Sequence, residues 1–485
     1  MSTRRPNILF LMADQMQGRV LEPEHPCRTP VFDALAARGV RIQRAYAPSA
    51  TCSPSRASLM TGLLPHTHGV LEVTHVVDED QCVLRERFPH WAQRLRALGY
   101  RTGYFGKWHV ERSGELERFG WEVNGATESP WFREHARQVR EQYGEGEYLL
   151  SRSYTLPPGY RKGLFYGVTT LPPAARRMGI ITDLAYRFLE SVLDGPDPWC
   201  CFVSVPEPHD PFVCGEEAFR RYDVDAVELP PNFDDALEGR PNIYRKAARA
   251  WADVSEREHR EAAVCYWASI TEIDEQFGRL LELLEVRGAI ENTIVVLTSD
   301  HGELLGAHGL YCKNFSAFEE VYHIPMVLAG PGVAVGEAVS ARVGLHDLAP
   351  TLLELVGAEP IGEPESRSFA PLLTDPKGQA DRFQTGYAEY FGGRYRLTQR
   401  VIWEGDWKLV WNGFDFDELY HLAEDPWELH NRIDDPACDP VVRRLMRRAW
   451  QIIRDTGDHS LWNSHYPPLR VAPYGPGILH GEGTD

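Results

Sequence analysis

The chain has 485 residues, which is more than one compact core usually accommodates, so we expect one large domain and a smaller second one. Its formal net charge of −19, without any dense block of Lys and Arg, argues against a nucleic-acid or acidic-membrane partner. An apolar content of 43% is ordinary for a globular protein and excludes wholesale disorder, while a local basic pocket for a small anion remains open.

The N-terminus carries two arginines and then an apolar run, an order that a targeting signal also shows. The run covers only residues 8–12 and is interrupted by Asp14, so it is too short for the apolar segment of a signal peptide. No later stretch approaches the roughly 18–20 apolar residues that a membrane span requires. We therefore expect a cytoplasmic protein with no membrane attachment. The nine cysteines include no C-x-x-C pair, which favours reduced thiols over a disulfide framework or a zinc site.

Apolar runs typical of buried strands alternate with amphipathic helical patterns along most of the chain. In chain order the patterns predict a strand PNILFLMAD ending at Asp14, a helix PVFDALAARGV closed by Gly39, a helix HWAQRLRALGY before a strand RTGYF, a helix DLAYRFLESVLD before a strand WCCFVSV, a helix ASITEIDEQFGRLLELLEV before a strand TIVVLTSD, and further pieces HIPMVLAGPG and HDLAPTLLELVGA. This alternation indicates an α/β fold with a mostly parallel central sheet that is flanked by helices on both faces.

Near residues 360–385 the sequence becomes rich in Gly, Pro and charged residues, which indicates a boundary between domains. We assign residues 1–375 to the catalytic domain and residues 380–485 to a smaller C-terminal α+β domain. The Pro- and Gly-rich end of the chain is expected to form an extended arm or a frayed tail, and an arm offers a contact for a homo-oligomer. Two irregular segments, 115–175 and 207–260, are expected to be insertions that set substrate specificity.

Polar residues follow the predicted strands at the points where the strands end. They are Asp14, Lys107, His109, His209, Asp300 and His301. In an open parallel sheet this edge binds ligands. Two carboxylates and an imidazole suit a hard cation such as Ca²⁺ or Mg²⁺, and their types are also compatible with Zn²⁺ or Mn²⁺. Each residue alone is more often a cap or loop residue, so the shared edge is what indicates a site.

The segment ATCSPSRASLMTG is typical of a loop that enters a helix. Pro54 suits an early helical position, which places Cys52 near the helix N-terminus, where an anion is favoured. Arg56 lies one turn further along the same helix face. A thiol in this position would have a lowered pKa and would be nucleophilic. A buried cysteine in a tight turn is the alternative that the segment alone leaves open.

Together these residues resemble the type I sulfatase family of the alkaline-phosphatase-like superfamily. The segment CSPSRASLMTG, which starts at Cys52, matches the family signature C-x-P-S-R…T-G, whose cysteine is oxidised after synthesis to Cα-formylglycine. The similarity continues through PNILFLMADQ, GYFGKWH at 103–109, EPHDPF at 207–212, TSDHGELLGAHGLYCKNFSAFEEVYHIPMVLAGPG at 298–332 and ELYHLAEDPWELHN. It covers most of the chain in the family's order, and the signature is highly specific.

The resemblance implies a site for one divalent cation. Its ligands would be Asp14, Gln15, Asp300, His301 and the modified Cys52. Gln15 stands where the family often has a second aspartate, so an amide oxygen would replace a carboxylate oxygen there. Ligation mainly by oxygen favours Ca²⁺, with Mn²⁺ and Mg²⁺ as alternatives.

The resemblance also implies a role for each remaining site residue. Arg56 would orient the formylglycine hydrate, and Lys107 and Lys313 would bind the sulfate oxygens. His209 would protonate the leaving oxygen, and His109 would assist the release of sulfate. In this chemistry the cation acidifies one hydroxyl of the hydrated aldehyde, which attacks the sulfur, and the second hydroxyl then expels sulfate.

The implied function is hydrolysis of sulfate esters to inorganic sulfate and an alcohol or phenol. The substrate would be a small anionic ester, and a formylglycine-generating enzyme would be the partner during maturation. Hydrolysis of phosphonate monoesters or phosphodiesters by the same modified nucleophile is the alternative within the superfamily. A non-catalytic or phosphatase-like metalloprotein with unmodified Cys52 is the alternative of another class, and a pure interaction module would require the grouping at the strand ends to be a coincidence. The class of ester (aryl, alkyl, choline or sugar) remains open.

Overall fold

The computed structural model describes residues 5–154, 159–313, 315–393, 396–462 and 467–480. Its strands are β1 (Asn7–Asp14), β2 (Gly39–Tyr46), β3 (Arg101–Gly106), β4 (Val123–Ala126), β5 (Tyr148–Tyr154), β6 (Gly163–Thr169), β7 (Trp199–Pro208), β8 (Phe212–Gly215), β9 (Thr293–Ser299), β10 (His323–Ile324), β11 (Met326–Ala329), β12 (Glu337–Gly344), β13 (Thr385–Gly392), β14 (Arg396–Glu404), β15 (Trp407–Asn412) and β16 (Glu418–His421). Its α-helices are α1 (Pro30–Ala37), α2 (Cys52–Thr61), α3 (Pro65–His68), α4 (Trp91–Ala97), α5 (Pro130–Tyr143), α6 (Arg177–Leu193), α7 (Glu216–Phe219), α8 (Asn242–Ala248), α9 (Glu256–Val286), α10 (Glu319–Tyr322), α11 (Leu348–Leu355), α12 (Ala370–Thr374), α13 (Pro376–Gln379), α14 (Asp439–Thr456) and α15 (His459–Trp462).

The large sheet has nine strands, with β1 near its centre. β1 lies between β7 and β9 and is parallel to both, so that Leu9 pairs with Cys201 on one side and Val295 on the other. All eight residues of β1 are buried, as expected for a parallel strand that is covered on both faces. β3 and β4 extend the parallel part beyond β7, whereas β11 is antiparallel to β9 and leads to β2 and β12. The predicted α/β fold with a mostly parallel sheet is confirmed, with antiparallel strands on one side.

Helices cover both faces of this sheet, and the side chains of β1 alternate between two cores. Ile8 and Phe10 pack with residues of α2, α4 and α11 on one face. Leu9 and Leu11 pack with residues of α1, α6 and α9 on the other face. The alternation is the two-residue period of an extended strand. It fixes the register of β1 and so places Asp14 at the carboxyl edge of the sheet.

The C-terminal region forms an antiparallel sheet of four strands, β13 to β16. Trp403 packs into the core of the large domain, and the residue before it in the strand, Ile402, packs into a separate core with α14. The described end of the chain, 467–480, folds back onto that core, where Trp450 Nε1 donates to the carbonyl oxygen of Tyr474 at 2.6 Å. This part of the tail therefore covers α14 instead of extending as an arm. The predicted smaller C-terminal domain is confirmed, while its boundary near residues 375–380 stays a prediction.

Three local predictions differ from the structure. The first helix ends at Ala37, and Gly39 begins β2, where a Cβ atom would lie only 2.1 Å from the carbonyl oxygen of Leu328. The segment 115–175 is more than an insertion, because it contains β4 of the large sheet. The segment 207–260 likewise contains the start of α9. Between them these segments also supply the small sheet of β5, β6 and β8.

All nine cysteines lie in the described part of the chain, and none of them is disulfide-bonded. Eight are buried, which agrees with the expectation of reduced thiols. Among the described residues, no helix combines the length and the apolar character that crossing a membrane requires.

Candidate active site

Strands of the large sheet end side by side at one edge. β1 ends at Asp14, Asp300 follows β9, and His209 follows β7. Because these strands are parallel, their carboxyl ends share that edge. There the ligand atoms of Asp14, Cys52, Asp300 and His301, which we call the cation cluster, all lie within 4.8 Å of one another. The structure thus brings together four of the five residues predicted to bind a cation.

Helix α2 places Cys52 at this edge. Thr51 has extended backbone angles (φ −133°, ψ 150°), and Cys52 is the first helical residue, so its side chain lies at a helix N-terminus that favours negative charge. Ser55 Oγ donates a hydrogen bond to the carbonyl oxygen of Asp300 at 2.6 Å, which ties the first turn of α2 to the end of β9. Every residue of α2 is buried, and Gly62, with φ 71°, ends the helix. The position of Cys52 is therefore fixed on all sides.

Arg56 joins the two carboxylates of the cation cluster. Its Nη2 donates to Oδ2 of Asp14 at 3.0 Å, and its Nε donates to Oδ2 of Asp300 at 2.7 Å. Its Nη1 donates to the carbonyl oxygen of Lys107 and to Oγ of Ser204, both at 2.8 Å. The side chains of Arg56 and of both carboxylates are completely buried. Buried charges of this kind are stable only when they are paired, and Arg56 supplies that pairing.

Positive charge lowers the pKa values of Asp14 and Cys52. Burial alone would raise the pKa of Asp14, but Lys107, whose Nζ donates to Oδ2 of Asp14, holds that pKa well below its ordinary value. Burial would also raise the pKa of Cys52, but Lys107 and Lys313 hold it well below its ordinary value. Both groups are therefore anionic near neutral pH, which is the state that binds a cation.

Gln15 connects the cation cluster to a second group of polar residues. Its backbone has φ 71°, a left-handed conformation that non-glycine residues rarely adopt, and its backbone N–H donates to Oδ1 of Asp300 at 3.1 Å. Its Oε1 accepts from Nζ of Lys313 at 2.5 Å. Its Nε2 donates to Oδ1 of Asp210 at 3.0 Å and to Oε2 of Glu303. The amide thus has protein partners at both ends, and its role as a cation ligand stays a prediction.

Lys313 and His209 meet at the solvent side of the site. Nζ of Lys313 donates to Nε2 of His209, and Nδ1 of His209 donates to the carbonyl oxygen of Asp210 at 2.7 Å. Since a carbonyl oxygen only accepts, this arrangement places a hydrogen on Nδ1 of His209. The side chain of His209 is 27% exposed, so a substrate can reach the pair from solvent.

His109 is held in an uncommon conformation beside Cys52. Its backbone has φ 55°, and burial lowers the pKa of its side chain, so the ring is neutral near neutral pH. Nε2 of His109 lies 2.7 Å from Nδ1 of His75. The other nitrogen, Nδ1, is buried, and the side chain interacts with Cys52. Nε2 of His109 thus contacts His75, and Nδ1 is the nitrogen that is available to the site.

The donor set of the cation cluster fits a divalent cation. Oδ1 of Asp14 is buried without a hydrogen-bond partner among the described residues, and an orphaned oxygen of this kind calls for a ligand. Nε2 of His301 lies 3.7 Å from that oxygen and 3.8 Å from Oδ1 of Asp300. Nδ1 of His301 donates to the carbonyl oxygen of Gly302 at 3.0 Å, which leaves the lone pair of Nε2 for a metal.

The sequence interpretation missed three residues that lie against the predicted ones: His75, Asp210 and Glu303. Asp210 and Glu303 stand inside the motifs EPHDPF and TSDHGE, so a signal for them was present. Glu303 Oε1 accepts the backbone N–H of Cys312 at 2.6 Å and so shapes the loop before Lys313. His75 belongs to no motif, and only the folded chain brings it to His109.

Known proteins support an assignment to one family. Residues 6–358 match the family model described as Sulfatase, and residues 306–455 match N-sulphoglucosamine sulphohydrolase, C-terminal. The chain is 29% identical to choline-sulfatase of Rhizobium meliloti (strain 1021), over 97% of this chain and 95% of the relative. It is 30% identical to the uncharacterized sulfatase YidJ of Escherichia coli (strain K12), over 89% of this chain and 84% of the relative.

The fold also has a counterpart among solved structures. It is similar to phosphonate monoester hydrolase SpPMH from Silicibacter pomeroyi, with a TM-score of 0.77 and 23% identity, covering 94% of this chain and 97% of that one. This similarity shows the architecture alone, whereas the family model matches the sequence that contains the site residues. Since the match spans both the strand ends and α2, the chain belongs to the sulfatase family of the alkaline-phosphatase-like superfamily and is a sulfuric ester hydrolase.

Proposed function

We propose that this sulfatase hydrolyses its ester with a Cα-formylglycine made from Cys52 and with one bound divalent cation, releasing inorganic sulfate and an alcohol or phenol. The observation that carries the proposal is the buried cation cluster, whose ligand atoms lie within 4.8 Å of one another at a helix N-terminus. Lys107 and Lys313 both lower the pKa of Cys52, so the same two ammonium groups would bind an anionic ester.

The residues that would hold the cation are those of the cation cluster. Asp14 and Asp300 offer carboxylate oxygens, His301 offers Nε2, residue 52 offers its modified side chain, and Oε1 of Gln15 is a further candidate. Oxygen ligands in the majority favour Ca²⁺, with Mn²⁺ and Mg²⁺ as alternatives. When bound, the cation supplies positive charge that makes a hydroxyl more acidic and balances the charge of the ester.

The other side chains orient the ester and move protons. Lys107 and Lys313 would bind the oxygens of the sulfate group, and Arg56 keeps the carboxylates of the cluster in place. His209 lies on the solvent side, where the leaving oxygen needs a proton, so His209 in its protonated form is the proposed acid. Nδ1 of His109 would accept a proton during sulfate release.

The proposal also covers the location, the maturation and the substrate of the protein. We place the protein in the cytoplasm, expect its maturation by a formylglycine-generating enzyme, and keep a homo-oligomer as a further expectation. The exposed side of the site, at His209, would face the alcohol part of a small anionic ester. A panel of aryl, alkyl, choline and sugar sulfates, with kcat/KM measured on each, identifies that part.

The test of the modification is mass spectrometry of the peptide that contains Cys52. We expect the mass to fall by the difference between a CH₂SH group and an aldehyde group, and Cys52→Ala to lose turnover. Cys438→Ala, which changes a buried cysteine of the C-terminal region, serves as the control and should keep full activity. An unmodified thiol in an active protein, together with an active Cys52→Ala variant, would overturn the proposal.

Phosphonate monoester or phosphodiester hydrolysis is the second candidate function. Its support is the similarity in fold to SpPMH and the presence of an amide, Gln15, directly after the first aspartate. The two reactions use the same anion-binding groups, so substrates must separate them. We expect kcat/KM to be higher on an aryl sulfate than on the matched phenyl phosphonate ester, and a strong preference for the phosphonate would favour the second candidate.

A further inference from the structure

His75 and His109 form a hydrogen-bonded pair beside residue 52. Nδ1 of His75 lies 2.7 Å from Nε2 of His109, the ring centroids are 4.8 Å apart, and the ring planes differ by 24°. Face-to-face stacking at van der Waals distance does not permit such a short contact between nitrogens. The rings therefore meet edge to edge and nearly in one plane, which is the geometry of a hydrogen bond between imidazoles.

The loop that carries His75 is tied to the rest of the site. The backbone N–H of Thr74 donates to Oγ of Ser53 at 3.2 Å, and the guanidinium of Arg112 donates to the carbonyl oxygen of Thr74. Ser53 directly follows Cys52 in α2, so the loop is anchored to the helix turn that presents the nucleophile. His75 is thus held in place although its side chain is exposed.

The hydrogen bond between the two rings decides which nitrogen of His109 carries the hydrogen. One hydrogen lies between the rings, so one ring donates and the other accepts. If Nδ1 of His75 accepts, His109 has its hydrogen on Nε2 and keeps a lone pair on Nδ1. His109 interacts with Cys52, and because Nε2 is occupied by His75, Nδ1 is the nitrogen available to that side. A lone pair there is what a base for sulfate release requires.

We propose that His75 is a positioning residue for His109: its Nδ1 accepts a hydrogen bond from Nε2 of His109 and so holds His109 with the Nδ1 lone pair directed to residue 52. The inference rests on the proposed function, since His109 acts on the modified side chain of Cys52. His75 acts through His109, as the partners of other functional histidines do when they fix the tautomer and the orientation of a ring.

Three substitutions at position 75 test the inference. Asn places an amide oxygen where Nδ1 of His75 lies, Gln places its polar atoms near the position of Nε2, and Ala removes the acceptor. We expect His75→Ala and His75→Gln to lower kcat about 10- to 100-fold with little change in KM, and His75→Asn to recover most of kcat. His430→Asn is the control, because that side chain is 80% exposed and lies in the C-terminal region. Thermal unfolding verifies that each variant is folded.

A second measurement reads the tautomer without turnover. In protein labelled with ¹⁵N-histidine, NMR distinguishes ring nitrogens that carry hydrogen from those that do not, and comparison with His109→Gln assigns the His109 signals. We expect hydrogen on Nε2 of His109 in the wild type and a mixture of tautomers in His75→Ala. Hydrogen on Nδ1 of His109 in the wild type, or wild-type kcat in His75→Ala, overturns the inference. If no sulfate ester is hydrolysed at all, the proposed function fails, and the tautomer measurement still decides on His75.

Discussion

The candidate site has an inner half and an outer half that differ in burial and in origin. The inner half, which consists of Asp14, Arg56, Asp300 and His301, has fully buried side chains and comes from strand ends and α2. The outer half, which consists of Lys107, His209 and Lys313, lies on loops, and Lys107 and His209 are 18% and 27% exposed. The rigid scaffold therefore balances charge, whereas the groups that meet the ester lie where solvent and substrate enter.

Removal of divalent cations should have the largest effect. It should also separate the two roles of the inner half, which are cation binding for turnover and charge balance for the fold. We expect dialysis against a chelator to abolish turnover and re-addition of Ca²⁺, Mn²⁺ or Mg²⁺ to restore it, with the best ion identifying the cofactor. The fold should persist, because Arg56 and Lys107 already neutralise the carboxylates of the cluster. Activity assays and denaturant unfolding on the same samples check both points. Turnover that is unaffected by chelation would contradict the cation site.

Arg56→Ala should impair both the stability of the fold and the turnover of the ester. The substitution leaves Asp14 and Asp300 buried without their shared partner. Breaking a buried ion pair in this way lowers the unfolding free energy by about 3–5 kcal/mol. The variant should also lose turnover. Urea unfolding measures the loss. Arg101→Ala, which removes an exposed partner of Glu122, is the matched control and should leave the unfolding midpoint unchanged. Equal midpoints for the two variants would mean that Arg56 does not stabilise the cluster.

His209→Gln should affect the chemistry of the outer half without affecting the fold. A lost general acid lowers the rate about 10²- to 10⁴-fold, and the loss should be concentrated on esters with poorly leaving alcohols. Aryl sulfates with acidic phenols need no proton and should lose much less. Plots of kcat/KM against the pKa of the leaving group, for wild type and variant, measure the difference. A uniform loss on all esters would instead assign His209 to binding.

Local sequence patterns were most informative for the inner half. PNILFLMAD is a fully apolar run that stops at Asp14, and a strand of this kind must lie inside a parallel sheet with its polar end at the edge. The short spacing from Cys52 to Arg56 is a single helical turn, which the local sequence determines. Local patterns of this kind sufficed for the large sheet, for α2 and for the grouping of Asp14 with Asp300.

The contacts in the outer half could not be predicted locally, because they join residues that are distant in sequence. The Gln15 amide binds Lys313 and Asp210, which lie 298 and 195 positions away, and no local pattern encodes such pairings. His75 reaches His109 only because a loop is tied to the first turn of α2. The C-terminal tail was expected to extend because it is rich in Pro and Gly, yet residues 467–480 pack on α14, whose apolar face needs cover.

Away from the candidate site, His66 of α3 joins the large domain to the C-terminal region. Its Nδ1 lies 2.8 Å from Oε1 of Glu389 and its Nε2 lies 3.3 Å from the carbonyl oxygen of Thr456, so both ring nitrogens face acceptors. Asp458 also faces this ring, and Arg400 is paired with Asp458 at 2.6 Å. Burial alone would lower the pKa of His66, but the hydrogen bond and the charge of Glu389 raise it to about 9.

The smallest predicted effect is therefore a dependence of stability on pH that originates away from the reacting groups. Because the pKa of His66 is higher in the folded chain than its ordinary 6.5, the stabilisation is complete below pH 6.5 and is lost as the pH rises through about 9. Its size is on the order of 3 kcal/mol. Urea unfolding between these pH values should show the decline in the wild type and a flatter profile in His66→Asn, with His430→Asn following the wild type. If the His66→Asn variant kept the decline of the wild type, the pH dependence would originate from another group.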